Sequence, residues 1–369
     1  MFISTLKLEN FRNYDLGAFE FHKGLNVLVG DNAQGKTNAA EAIFYLCTGY
    51  SPRATRDKQV IRYGEKQASA SGTAVTRYGE TGVEVRFSGS DKKTAYVNGV
   101  QVLRIGEILG NINSVFFNPG ELKLIQESPQ DRRRFLDISL SQMGKPYFYA
   151  LQRYNKIIAQ RNNLLKDESE EVVRDTLPVW DVQLARVARE IIYKRNEFLR
   201  VLAPFARDAH AYLTDGKEDL QVSADYKYDG TMEQIEQALL TALREAIDKD
   251  LRLGYTTVGP HRDDMKIRIN GEDVRVYGSQ GQQRTAALSI KLAEVEIFRD
   301  TFGEYPVLIL DDVMSELDRT RRKRLLTRVQ GVQTLLTCTH VDEQIFGDTP
   351  RREFLVEDGK VVSITDKYL

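Results

Sequence analysis

Cysteine is scarce in this chain: Cys47 and Cys338 are the only two in 369 residues, and both lie in apolar stretches. Two thiols exclude a disulfide framework, and neither has the company of a metal ligand, so a reducing interior is the expected compartment. No apolar run approaches the length that spans a bilayer. The N-terminus alternates apolar and polar residues, so a cytoplasmic protein without membrane contact is expected. An excess of one charge is also missing: 52 Lys and Arg stand against 53 Asp and Glu. Nucleic acid, if bound, must therefore be held by a local basic patch and not by the field of the whole molecule. A 41% hydrophobic and 28% charged composition excludes disordered and fibrous classes, and the length allows one large core or two moderate ones.

What is present is the pattern G-x-x-x-x-G-K-T at Gly30, Asp31, Asn32, Ala33, Gln34, Gly35, Lys36 and Thr37. A triphosphate needs a concave row of backbone N–H groups, which only glycines at the turns let approach closely. Lys36 would put a point charge between the β- and γ-phosphates. Thr37 would place its hydroxyl on a magnesium ion at the start of a helix whose dipole favours anions. The flanks suit this: residues 25–29 (LNVLV) read as a buried strand and 37–46 (TNAAEAIFYL) as a helix.

Before that loop, residues 2–7 and 16–21 read as strands joined through Phe11, Arg12, Asn13 and Tyr14. Arg12 is open between a solvated loop arginine and a second positive charge near the phosphates. Residues 51–63 form a basic stretch interrupted by Pro52, open between a solvated loop and a phosphate-contacting one. From 68 to 102 the pattern has period two, with a hairpin signal at Asn98-Gly99, and predicts an antiparallel sheet. After a short strand at 115–117, Ser128-Pro129 predicts a helix start, and the chain reads as mostly helical to about Leu251. A polar turn is expected at 166–175, and Pro204 is expected to interrupt the heptads, so that any coiled-coil arm is short. Strand character returns at 265–269 and 274–277, after a polar loop around His261 that reads as a surface ion-pair network.

Three later stretches bear on the phosphate loop. Residues 306–312 (PVLILDD) read as a buried strand ending in Asp311 and Asp312. Asp311 would hold magnesium through its water shell and Asp312 would orient or deprotonate the attacking water, with Lys36 completing the catalytic pair. Ser279, Gln280, Gly281 and Gln282 precede a long helical pattern, with Ser279 and Gly281 as its caps, and Ser-x-Gly-x-Gln at a helix start is one way to bind a γ-phosphate from the side. His340 follows a strand at 333–337 and is a candidate γ-phosphate contact. A closing hairpin is expected around residues 357–360.

This order of motifs resembles the ABC-type ATPase heads of the SMC-like branch, and within it the RecF family. The resemblance runs through LENFRNY at 8–14, GDNAQGKTN at 30–38, NPGELKLIQESPQDRRRFLD at 118–137, GPHRDD at 259–264, YGSQGQQR at 277–284 and LDDVMSELD at 310–318. It implies an α/β ATPase head, a mixed sheet with a phosphate loop plus an antiparallel β-subdomain, with an inserted mainly helical lobe. Residues 1–118 and 254–369 would form the head and 119–253 the lobe. It further implies a slow DNA-dependent ATPase of DNA replication, recombinational repair and the SOS response, using ATP and Mg2+. Such a protein acts with RecO and RecR to promote RecA loading at gapped DNA. Residues 279–283 would act across an ATP-dependent homodimer on nucleotide held by the partner, Arg12 and Arg53 would lie near phosphates, and Asp318 at the seam. The broad ABC pattern has Glu where this chain has Asp312, and slow turnover fits the shorter side chain. Arg53, Arg56, Lys58, Lys92, Lys93, Arg132, Arg133 and Arg134 are candidate DNA contacts. A transporter-driving ATPase is disfavoured by the helical block, and a nuclease ATPase by the want of a separate carboxylate-rich domain.

Overall fold

The computed structural model describes residues 1–369 except Asp91 and Tyr226. The chain opens with β1 (Phe2–Phe11) and β2 (Tyr14–Glu20), then β3 (Leu25–Val29) and α1 (Lys36–Thr48). There follow β4 (Gln67–Thr76), β5 (Gly79–Ser88), β6 (Lys93–Val97), β7 (Val100–Val102) and β8 (Ser114–Phe117). The helical stretch comprises a turn α2 (Lys123–Gln126), α3 (Pro129–Met143), α4 (Lys145–Asp167) and α5 (Glu170–Thr214). It continues through β9 (Leu220–Asp225), α6 (Met232–Glu245) and α7 (Ile247–Leu253). Then come β10 (Asp264–Ile269), β11 (Glu272–Asp273), α8 (Val274–Tyr277), α9 (Gln280–Phe302), β12 (Val307–Asp311) and α10 (Arg319–Arg328). The chain closes with β13 (Thr334–Cys338), α11 (Glu343–Phe346), β14 (Arg351–Glu357) and β15 (Lys360–Lys367).

Two six-stranded sheets sandwich α1. One is antiparallel in the order β2-β1-β4-β5-β6-β7; the other runs β15-β14-β3-β13-β12-β8, with all its neighbours parallel except the terminal hairpin. Because β3, β12 and β13 run the same way, their C-terminal ends lie along one edge, where ligands of open α/β sheets sit. Contact with both sheets explains why α1 is apolar almost all round: every residue from Ala39 to Cys47 is buried, Glu41 included, and only Thr37 and Asn38 before them are half-buried. The opposite face of the parallel sheet packs on α9, and the same apolar core continues through α3, α4, α5 and α6 without a break.

Several expectations need correction. α5 does not stop at Pro204 but runs 45 residues through both Pro178 and Pro204, about 68 Å. Both prolines face solvent, as do Arg174 and Arg200, whose carbonyls lose their helical partners and can turn to water, while Leu177, Leu202 and Ala206 hold the opposite face in the core. The break before α5 is correspondingly short, Glu168 and Ser169 alone, with Ser169 capping. Residues 274–277 form the helical turn α8 and not a strand, because Asp273 accepts from the Arg275 N–H and starts a turn. Within the helical stretch, β9 escaped notice; it pairs with β10 in register Ile267 to Val222. Gly281 lies inside α9 and only Ser279 caps it.

The loop around His261 is not a surface network. Burial lowers the His261 imidazole to about 4. Its Nε2 donates to the Thr256 carbonyl at 3.0 Å, leaving Nδ1 to accept from the Tyr154 hydroxyl at 2.5 Å, the arrangement of a neutral ring. Asp263 beside it is 6% exposed and raised to about 6 by burial, against the pull of Arg195 and Arg133. This segment is the floor on which α4 and α5 rest.

Candidate nucleotide-binding site

Residues 30–37 form a loop from the end of β3 to the start of α1. Gly30 and Gly35 have φ of 152° and 120°. A Cβ at Gly30 would lie 2.3 Å from the Val356 carbonyl oxygen, and one at Gly35 would lie 2.9 Å from the Asn13 amide. Glycine is thus required on both ends of the loop. The loop is held from outside at Gln34. Its carbonyl accepts from Asn13 Nδ2 and from the Gly359 N–H, both at 2.9 Å, and its side-chain oxygen accepts from the Asp358 N–H at 2.6 Å. Tyr14 donates its hydroxyl to the Gly35 carbonyl at 3.1 Å. The β1–β2 turn and the β14–β15 hairpin thereby fix the loop from its outer side. Asn13 was only a connection residue in the sequence; the Asp358-Gly359 turn signal marked a hairpin but not its contact.

Lys36 folds back inside the loop, 8% exposed, and donates to the carbonyls of Gly30 at 2.6 Å and Asp31 at 2.7 Å. Burial lowers its pKa, and nearby acidic groups, Asp312 and Asp311 among them, oppose the shift. Thr37 donates its hydroxyl to Asp311 Oδ1 at 2.8 Å, and Thr337 of β13 donates to the same oxygen at 2.8 Å. Burial raises the Asp311 pKa, and these two bonds oppose the shift. Asp312 has left the strand, with φ of 55°, a left-handed conformation that Asp tolerates better than most residues. This turn lets both neighbouring carboxylates serve one region, which a regular strand would forbid. Residues 32–38, Arg53, Asp312, Thr337 and Thr339 line a cavity of about 320 Å3.

The remaining expected residues divide. His340 is exposed, within hydrogen-bond distance of Thr339, and lines a small adjoining cavity together with Asp312. Arg12 does not line the main cavity: it donates Nε and Nη2 to the fully buried Glu41 and Nη1 to the Gln59 carbonyl. Arg53 lies closer, 3.5 Å from Glu41 and 3.1 Å from the Asn38 amide oxygen. Glu41, held by two arginines and the Ser51 hydroxyl, was not singled out in the sequence because a lone acid on a helix carries no local signal.

Ser279 to Gln282 lie elsewhere, at the start of α9. Ser279 Oγ accepts from the Gln282 N–H and the Gln282 side chain accepts from the Ser279 N–H, a reciprocal cap. Ser279 and Gln280 are exposed, and none of the four lines the cavity at the loop. Gln283 is buried and joins Gln126 of α2 at 2.8 Å, and Arg284 is ion-paired to Glu316 beside the end of β12.

Of the candidate DNA contacts, several are committed inside the protein. Arg132 is 5% exposed and forked onto Asp264, Arg133 donates to the Asp263 carbonyl, and Lys93 binds Asp57, Tyr45 and the Gly49 carbonyl.

A phosphate loop on a parallel sheet, an antiparallel subdomain over its helix, paired carboxylates on the adjacent strand and a capped helix facing away define an ABC-type ATPase head of the SMC-like branch. Residues 2–348 match the family described as the RecF/RecN/SMC N terminal domain. The DNA replication and repair protein RecF of Alkaliphilus oremlandii is 42% identical over 347 residues, 93% of this chain and 94% of its own length. A solved structure of the recombination mediator protein RecF-ATPrS in the RecFOR pathway is 36% identical with a TM-score of 0.87, covering 98% of this chain and 97% of that one. The corresponding RecF-ATP structure is 34% identical with a TM-score of 0.87, over 99% and 97%. The chain belongs to the RecF family. Among the described residues no helix is long and apolar enough to cross a membrane.

Proposed function

We propose that this chain is a cytoplasmic, ATP-dependent DNA-binding protein of replication and recombinational repair, whose ATP-bound form is a homodimer closed on DNA and whose slow hydrolysis reopens it. In this reading residues 1–118 and 254–369 are the two halves of the head and 119–253 the inserted lobe. The observation that carries the proposal is the convergence of Lys36, Thr37 and Asp312 on one cavity, with Asp311 bonded to Thr37, while Ser279 caps the exposed start of an otherwise buried helix outside it.

The residues fit a magnesium nucleotide. Residues 30–37 offer backbone N–H groups and Lys36 a charge to the phosphates; Thr37 and Asp311 offer hard oxygens of the kind magnesium takes. Among the described residues no cluster of three or more His, Cys, Asp or Glu side chains could hold a metal alone, which suits an ion carried largely by the phosphates. Magnesium would supply charge neutralisation at the transferring phosphoryl group. Asp312 positions or deprotonates the attacking water, and Arg53, Arg12 through Glu41, and His340 surround the phosphate end. Ser279, Gln280, Gly281 and Gln282 reach the nucleotide of a second copy, their helix N-terminus being free to meet an anion. By resemblance to relatives of the RecFOR pathway, RecR and RecO are the protein partners, and loading of RecA at gapped DNA is the outcome.

The test is the mass in solution of Asp312→Asn with and without ATP and magnesium, repeated with a duplex carrying a single-stranded gap. A dimer that forms only with ATP and then retains DNA supports the proposal. A chain that stays monomeric with ATP bound removes it.

A further inference from the structure

We propose that the solvent face of α4 is the surface that holds the phosphate backbone of duplex DNA. This rests on the reading above that the protein binds DNA, and it adds where.

Residues 145–166 contain no Asp or Glu; the first acid of α4 is Asp167, at its last residue. One stripe of the helix carries Lys145, Gln152, Arg153, Lys156, Gln160 and Asn163, all exposed. The opposite stripe, with Ala150, Tyr154, Ile157, Arg161 and Leu165, is buried against the lobe. The stripe therefore offers cations and neutral amide donors over about 27 Å, roughly eight base pairs of duplex.

What separates α4 from other basic segments is that its charge is unspent. α10 is richer, with six Lys and Arg in ten residues. Yet Arg321 is paired with Asp318, Arg324 with Asp215 and Arg328 with Glu296, Arg322 donates to the Leu317 carbonyl, and Arg319 to Gln344. On α4, Lys145 donates only to the Glu107 carbonyl, and Arg153 and Lys156 have no acidic partner among the described residues. In a molecule of net charge −1, an unpaired row of this kind is where counterions gather and where a polyanion releases them. The partner is duplex and not single strand because the stripe presents no exposed ring for a base to stack on. Tyr147 and Tyr154 are buried, and Phe148 and Tyr149 are half-buried. A rigid row of donors without base readout fits a stiff, regular backbone.

The experiment uses the full chain with ATP and magnesium, and measures binding of a short blunt duplex by fluorescence anisotropy over a range of salt. Arg153→Glu with Lys156→Glu is expected to weaken binding by about tenfold or more and to make the salt dependence shallower by about two phosphate contacts. ATP-dependent dimerisation should be unchanged, since both positions are exposed. Lys323→Glu on α10 is expected to bind within about twofold of wild type. The proposal is overturned if the α4 variant binds as wild type does, if Lys323→Glu loses as much, or if only single-strand binding responds. Wild-type protein that dimerises with ATP yet ignores duplex would instead remove the functional reading on which the proposal rests.

Discussion

Thr37 and Asp311 are 274 positions apart in sequence and are joined by one hydrogen bond of 2.8 Å, from the first turn of α1 to the last residue of β12. The bond exists because β3 and β12 are parallel strands flanking β13, so their ends reach the same edge of the sheet. It ties together the two side chains whose oxygens would hold the magnesium ion.

Lys36→Met should lower ATP affinity by about a hundredfold or more while leaving the melting temperature close to that of wild type, because methionine fills the same space without the charge. Asp312→Asn should bind ATP as wild type does but turn it over at least about a hundredfold more slowly, as expected for a group that handles the water and not the nucleotide. Titration calorimetry and a phosphate-release assay separate the two. Equal affinity in wild type and Lys36→Met would contradict the site.

Gly359 is expected to matter although it does not line the cavity at the loop. Its φ is 70°, and a Cβ there would lie 2.4 Å from the Asn13 carbonyl oxygen. Gly359→Ala should therefore cost about 1–3 kcal/mol of stability and, by loosening Gln34, weaken ATP binding. Denaturant unfolding together with nucleotide titration would check it; an unaltered affinity would show that the hairpin does not set the loop.

His261 and Asp263 make opposite pH-dependent contributions to stability. The imidazole falls from 6.5 to about 4 on folding, so its contribution is fully present above about 6.5 and is lost as pH falls through 4. The carboxyl rises from 3.8 to about 6, so its contribution is fully present below 3.8 and is lost as pH rises through 6. Each swing is about 3 kcal/mol, and between pH 4 and 6 they largely cancel. His261→Gln should leave a protein that loses stability as pH rises from 4 to 6, and Asp263→Asn one that gains it. Melting temperatures across that range would show the two slopes; slopes of the same sign would contradict the account.

Arg161 is fully buried and donates to Asp181 at 2.8 Å, Asp250 at 2.7 Å and Thr256 at 2.9 Å, joining α4, α5 and α7. Arg161→Met strands two buried carboxylates and should cost about 3–5 kcal/mol at neutral pH. Part of that loss should return on acidification, because burial raises the Asp181 pKa and protonation relieves its stranded charge. A pH-independent loss would mean that packing and not charge is what the arginine contributes.

The loop, its strand and helix, and the paired Asp311 and Asp312 were legible in sequence because each is a local pattern: a spacing, an apolar run, a run ended by acids. The capping of α9 by Ser279 was legible for the same reason. Local rules failed where tertiary packing decides. Pro204 carries its helix-breaking tendency everywhere, yet at a solvent-facing position with Leu202 and Ala206 in the core the helix continues. Arg132 reads as a surface cation until Asp264 is found opposite it. Asn13 and Gly359 are invisible as loop supports because their partner Gln34 lies far from both in sequence.

The central claim, that nucleotide held by one copy is completed by Ser279 of another, is tested most directly by mixing two inactive chains. Lys36→Met cannot hold ATP, and Ser279→Arg can hold it but blocks its own contact with a partner. The account predicts that each alone shows neither ATP-dependent dimer nor turnover. Mixed, they should form a dimer with one complete site, restoring measurable hydrolysis. A mixture no more active than the two chains apart would contradict it.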